Sequence, residues 1–198
     1  MITEIAYQLV KNLSENLSFI DKWVGLAIPM RKMIEKKEKI FPVAYNIDPN
    51  CDVSEYTDLV PDSKKSAICY CEKINEITFE QIRKNYFIAS TDLRIVLWYN
   101  LNRITEGDYI DEGIMAANLL AKIPRTLSNS LFTYVSSVNI FPSGAMTGAL
   151  IFSKYTYEEV RTQFVTHPYG AVAVDVNIQY VINKCVEELI PGLKCNVI

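Results

Sequence analysis

His167 is the only imidazole in the chain, so acid–base chemistry near neutral pH falls to it or to a carboxylate. A catalytic histidine needs an orienting carboxylate and a nucleophile or substrate pocket. Asp175 lies eight residues further on and Glu158 and Glu159 precede it, but no local signature joins them. Flanked by Thr166 and Pro168, His167 reads as an ordinary turn histidine. The five cysteines, Cys51, Cys69, Cys71, Cys185 and Cys195, are odd in number and scattered, unlike a disulfide framework. Cys69 and Cys71 form the one close pair, and residues two apart on a strand point the same way. A zinc site takes about four ligands; Cys51, His167 and Cys185 would have to be recruited in space, and nothing local supports it. The pair therefore reads as small, buried apolar side chains.

The acids and glycines are equally plain. Asp92 and Asp175 fall on strands, whereas Asp108, Asp111 and Glu112 open a helix, where acids complement the dipole. A glycosidase-like pair assembled from these carries no weight. Gly144-x-x-x-Gly148 lacks the lysine and hydroxyl of a phosphate loop, and neither Gly107 nor Gly113 opens a dinucleotide fingerprint. The expectation is no catalytic residue, no cofactor and no metal, hence no enzyme.

Other residues point to contact. Arg31, Lys32, Lys36, Lys37 and Lys39 cluster along one hairpin, partly offset by Glu35 and Glu38. The plain reading is a solvated hairpin; the functional one is a hairpin reaching an acidic neighbour in an oligomer. Asp58, Asp62 and the run Ser63–Ser66 form a mixed-charge surface, and two adjacent lysines are too few for specific nucleic-acid binding. Twelve tyrosines are many, and tyrosine and tryptophan favour interfaces. The expected oligomer contacts are Arg31, Lys32, Lys36, Lys37, Lys39, Tyr56, Asp58, Asp175, Asn177 and Gln179.

The elements that position these residues follow from size and periodicity. At 198 residues, 49% apolar, 22% charged and a net charge of -3, the composition excludes a disordered chain, a collagen-like repeat and a basic nucleic-acid binder. Folding can bury roughly 70% of the surface, enough for a core without disulfides or metal. No basic-then-apolar leader opens the sequence, and no run approaches the roughly 18 apolar residues of a membrane span, so synthesis in the cytoplasm and no membrane association are expected.

Ile5, Leu9, Leu13, Leu17 and Ile20 predict a helix over residues 3–20, capped by Thr3. Residues 26–33 and 39–46 read as strands joined by the charged tip Glu35–Glu38. Residues 47–90 read as a loop-rich insertion within a single domain spanning 1–198, with a small hairpin pairing residues 66–70 with 76–79. Alternation marks a strand over 92–103, with Leu93, Ile95, Leu97, Tyr99 and Leu101 on one face. A helix follows over 108–123, its stripe Ile110, Ile114, Ala117, Leu120 and Ala121. Residues 132–141 read as extended, Pro142-Ser143-Gly144 as a turn, and 171–183 as a strand whose Ala171–Gln179 face is wet or apposed to a neighbour. The tail from Cys185, with Leu189, Ile190 and Leu193, is a candidate for docking on a partner. The fold class is α+β: an antiparallel or mixed sheet of four or more strands, with a long N-terminal β-hairpin and two helices packed on one face.

Over Thr3–Asn46, Asp92–Pro124 and Tyr134–Asn183, this order resembles the tail-terminator and neck ring (head-to-tail joining) proteins of tailed bacteriophages. The stretches 87–102 and Tyr169–Val176 look like the strand edges of such proteins in phages of Bacteroides-type hosts, the crAss-like group. The resemblance implies a non-catalytic virion protein, a homo-oligomeric ring of six or twelve copies in the neck or head-proximal tail. The sheets of neighbouring copies would be joined through strand edges and the hairpin, with Trp23 and Trp98 as packing anchors, and the ring's other partners would be neck, portal-side or tail-tube proteins. Viral DNA would pass non-specifically through the lumen, which a mildly acidic chain suits. The alternatives are a small non-enzymatic protein-binding module of a mobile element, and a hydrolase with an unfamiliar site around His167.

Overall fold

The computed structural model describes residues 1–46, 55–83, 86–106, 108–127, 135–156 and 165–183. Cys51, Glu158, Glu159, Cys185 and the tail to Ile198 lie outside the described residues.

The chain opens with helix α1 (Ile2–Asn16), which buries Ile5, Ala6, Leu9, Val10 and Leu13 along one stripe. The expected long N-terminal β-hairpin is thus corrected: the N-terminus is a helix, and the hairpin of β1 (Lys22–Ile34) and β2 (Lys37–Asn46) comes after it. Apolar residues at helical spacing, with no glycine or proline before Gly25, make the first segment helical. The helix stops at Asn16, four residues earlier than its periodicity predicts, and Met1 rather than Thr3 stands at its N-cap.

Next come β3 (Glu55–Asp58), β4 (Ala67–Lys73), β5 (Thr78–Arg83) and the long β6 (Tyr86–Asn100). A short helix α2 (Leu101–Ile104) and α3 (Glu112–Lys122) lead to β7 (Thr126–Leu127), β8 (Val135–Thr147), a 3-10 turn (Gly148–Phe152) and β9 (Tyr169–Asn183). Among the described residues these make one nine-stranded sheet in the order β3-β2-β1-β4-β6-β9-β8-β7, with β5 also on β6. The sheet is mixed, because β1 runs parallel to β4 while the other pairs are antiparallel.

Three further expectations change. The small hairpin does not form: β4 pairs with β1 and β6, and β5 pairs with β6 instead. Pro142-Ser143-Gly144 is a register shift inside β8, not a turn; a strand with a free edge tolerates proline at a bulge. Helix α3 buries Met115, Ala116 and Leu119 and leaves Ile114 and Leu120 exposed, because packing on β8, β9 and α1 selects the neighbouring stripe.

Helices α1 and α3 cover one sheet face. Beneath them lie Cys69 and Cys71, then Leu93, Ile95, Leu97 and Tyr99, then Val172, Val174, Val176 and Ile178. Helix α1 approaches closely at Gly25, where a Cβ would stand 3.0 Å from the Tyr7 backbone. The opposite face has its own core of Ile68, Tyr70, Val96, Trp98, Ala171 and Ala173, covered by Leu59, Ile151, Phe152 and Tyr155. Ala171 and Ala173 are therefore buried within the chain, against the expectation of a wet face. Among the described residues no helix is long and apolar enough to cross a membrane.

Candidate functional site

Strand β1 pairs with β4 only as far as Ala27 opposite Glu72. From Ile28 opposite Val43 to Ile34 opposite Lys37 it pairs with β2 alone among the described residues. At about 3.3 Å per residue, this makes an arm roughly 20 Å long. Strand β2 is braced at the arm's root: Leu59 N–H donates to Pro42 O at 2.9 Å. Ile40 N–H donates to Thr156 Oγ1 at 2.8 Å, and Thr156 N–H returns a bond to Ile40 O at 3.0 Å. The tip turns through Glu35 and Lys36, with φ of 51° and 65°, the two left-handed positions of a type I′ hairpin.

Alternation gives the arm two faces. Arg31 and Met33 lie on one, where Arg31 Nη1 stands 3.4 Å from Glu38 Oε1; that exposed pair contributes little. Lys32, Ile34, Lys37, Lys39 and Phe41 share the other. There a pocket of about 120 Å³ is lined by Lys32, Ile34, Phe41, Asp58 and Val60. Three of these five side chains are apolar, and the other two are one cation and one carboxylate. Close by, Lys22 Nζ donates to Asp58 O at 2.6 Å. Burial lowers the Lys22 pKa, helped by Lys65 and opposed by Asp58 and Asp62.

The expected contact residues thus fall into two groups. Arg31, Lys32, Lys36, Lys37, Lys39 and Asp58 share the arm and its root, and Tyr56 is half-exposed on β3 beside them. Asp175, Asn177 and Gln179 lie elsewhere, on β9, and bond within the chain. Register sets Glu72, Arg94 and Asp175 side by side across β4, β6 and β9. Arg94 grips Asp175 through Nε–Oδ1 at 2.7 Å and Nη2–Oδ2 at 3.0 Å. Those hydrogen bonds raise the Arg94 pKa against the opposing effect of burial. In the next row Asn177 Nδ2 donates to Asp92 Oδ1 at 2.7 Å, and Asn75 Nδ2 donates to Asp92 Oδ2 at 2.6 Å. Gln179 Nε2 donates to Asn177 Oδ1 at 3.1 Å.

Glu72 is only 2% exposed. It accepts a hydrogen bond from Tyr155 O–H, and its other oxygen meets Lys154 Nζ at 2.7 Å. Burial raises the Tyr155 pKa, reinforced by Tyr70 and Glu72. Tyr70 O–H, also buried, finds no partner among the described residues. Both Asp92 and Asp175, like Glu72, are thus tied to a fixed cation or amide, which is scaffolding geometry. Sequence reasoning missed Glu72, Lys154, Arg94 and Tyr155 as a network. The one available signal was Glu72, an acid closing the apolar run Ala67–Cys71.

His167 is exposed, with its ring 6.2 Å from that of Tyr109. Asp175 is held six strand positions beyond Tyr169 by Arg94, so the two do not meet. Cys69 and Cys71 are free and fully buried. Burial pushes the Cys69 thiol up to about 12 and Cys71 well above its usual range, so both stay protonated at neutral pH. No cluster of three metal-ligating side chains occurs among the described residues. Trp98 is buried in the second core, stacked on Tyr169 at 5.6 Å, while Trp23 is half-buried against Tyr7 at 5.3 Å. No protein-family model and no curated protein matches the chain.

Proposed function

We propose that this chain is a non-catalytic structural subunit that joins head to tail into a closed ring of six or twelve copies. We further assign the ring to the neck or head-proximal tail of a tailed-phage virion, around the DNA channel and between adjacent virion components. The observation that carries the reading is that, among the strand edges left unpaired by the described residues, two long ones are unlike. One is the arm edge of β1 beyond Ala27. The other is the outer edge of β8 beyond Ile140, where contact with β7 and Arg125 ends. Unlike surfaces on one chain favour heterologous contacts, which close into rings when the rotation permits. The phage assignment draws support from element order: α1, the β1–β2 hairpin, β6, α3, then β8 and β9.

Native mass spectrometry at several concentrations, with electron microscopy of the same sample, tests the ring. A discrete species of six or twelve copies with a central channel is expected. A monomer at every concentration would overturn the ring and leave the small binding module of a mobile element. Mass spectrometry of purified virions, with antibody labelling of intact particles, tests the location; absence from the neck and tail would overturn the phage assignment.

A further inference from the structure

We infer that the arm edge of β1, at Arg31 and Met33, pairs as a β-strand with the outer edge of β8, at Ala145 and Thr147, of a second copy of this chain, a contact that rests on the ring reading and names what repeats around it. Hydrogen bonds within one copy fix which backbone groups face outward. Pro42 O and both backbone groups of Ile40 bond away from β1, to Leu59 and Thr156. Residues opposite each other in an antiparallel pair either exchange both bonds or neither. Pro29 and Arg31, which face Pro42 and Ile40, therefore turn their groups away from β2, and alternation adds Met33 to that edge.

The same count works from the other side of the sheet. Asn100 N–H donates to Ser66 O, towards β4, so alternation along β6 turns Ile95 and Leu97 towards β9. Their partners Val174 and Val172 then direct their groups to β6. Ala145 and Thr147, opposite those valines on β8, are left facing outward, and both are exposed. A Cβ at Gly144 would meet nothing within 4 Å, so the edge is open at its bulge as well. Two outward residues on each edge allow about four hydrogen bonds between copies.

Side chains and charge select this pairing. The arm edge carries Met33, 66% exposed, and the far end of the β8 edge leads to Leu150, 74% exposed, so each edge offers apolar surface to cover. No Asp, Glu, Lys, Arg or His occurs from Thr126 to Ser153, whereas free edges are ordinarily protected by charge. Along the arm, Arg31, Lys32, Lys36 and Lys37 outnumber Glu35 and Glu38. Arm against arm would set like charges together, and arm against β8 does not. Within one copy β4, β6 and β9 separate β1 from β8, so the contact is between copies, and unlike surfaces make it heterologous.

Hydrogen exchange of the full chain reads the contact directly. In the assembled wild type, the amides of Arg31, Met33, Ala145 and Thr147 should exchange at least about tenfold more slowly than in dilute monomer. Two variants test the edges separately. Met33→Pro and Ala145→Pro each remove one outward N–H, as Pro29 and Pro142 already do, at positions where an edge strand tolerates proline. Each alone should raise the midpoint concentration of assembly by about tenfold or more. Mixed, they keep one intact pair of edges and should stop at a one-to-one dimer. The exchange measurement uses the wild type alone, so it decides the contact even where a proline unfolds the chain. Rings whose four amides stay unprotected, or folded proline variants that close as readily as the wild type, would overturn the edge contact and leave the ring. An open filament with the same four amides protected would overturn the ring and leave the contact. A dimer abolished by Ala145→Pro and untouched by Met33→Pro would show β8 pairing with itself, and a monomer at every concentration would show no pairing; either result overturns both.

Discussion

Arg94 and Asp175 face each other across β6 and β9 and are joined by two parallel hydrogen bonds, at 2.7 and 3.0 Å. Their side chains are 21% and 26% exposed, so the pair is shielded enough for charge-assisted bonding to count. Arg94 also separates Asp175 from Glu72, its neighbour on the other side. Arg94→Met leaves both acids without that cation and is expected to cost about 2 kcal/mol. A double-mutant cycle with Asp175→Asn, read by urea unfolding, should give a coupling of about 1–2 kcal/mol. Coupling below about 0.3 kcal/mol would place the pair with ordinary surface ion pairs.

Tyr155 and Lys154 tie the segment after the 3-10 turn to Glu72 at the sheet. Tyr155→Phe keeps the ring in the second core and deletes the donor to a buried carboxylate. The expected loss is about 1–3 kcal/mol. Lys154 is 43% exposed, so Lys154→Met should cost less, about 1 kcal/mol at most. Chemical denaturation of the two variants checks the order; equal losses would mean that the lysine holds Glu72 as firmly as the tyrosine does.

Glu35 and Lys36 both hold positive φ, 51° and 65°. Each costs roughly 1–2 kcal/mol for a residue with a Cβ, and asparagine followed by glycine is the preferred pair for this turn. Glu35→Asn with Lys36→Gly should therefore stabilise the chain by about 1 kcal/mol, raising Tm by roughly 2–4 °C for a protein of this size. A lower Tm would show that the tip side chains contribute more than the turn strain they impose.

What the sequence made legible was local. Ile5, Leu9 and Leu13 mark α1, and alternation along β6 and β9 separates Leu93, Ile95 and Leu97 from Val96 and Trp98. What it hid was pairing at a distance. The parallel contact of β1 with β4 unites segments more than forty residues apart, and no local spacing encodes it. Helix α3 offers two adjacent apolar stripes, and only its neighbours choose Met115 and Leu119 over Ile114 and Leu120. The arm's charges were legible as a cluster. The pocket was not, because Ile34, Phe41 and Val60 come from three separate stretches.

Cys69 and Cys71 make stability sensitive to alkali. Burial moves the Cys69 thiol from its ordinary 9.0 to about 12. Cys71 moves up as well, through burial first and then its neighbours Cys69 and Glu72. In the unfolded chain these thiols ionise near their ordinary value, so above it the folded state binds more protons than the unfolded one. The Cys69 contribution is complete below about pH 9 and is lost as pH rises towards about 12, and the Cys71 contribution is likewise lost as pH rises above about 9. The slope approaches about 1.4 kcal/mol per pH unit for each thiol. The tyrosines Tyr70, Tyr99, Tyr155 and Tyr180, also shifted up by burial, begin to add to the fall about one pH unit later than the thiols. The difference in slope between the wild type and a variant without the two thiols therefore isolates the cysteines. Urea unfolding above about pH 9, under reducing conditions, should show wild-type stability falling, while Cys69→Ala with Cys71→Ala starts lower and stays flatter. Equal slopes would show that the thiols are not the groups that ionise on unfolding.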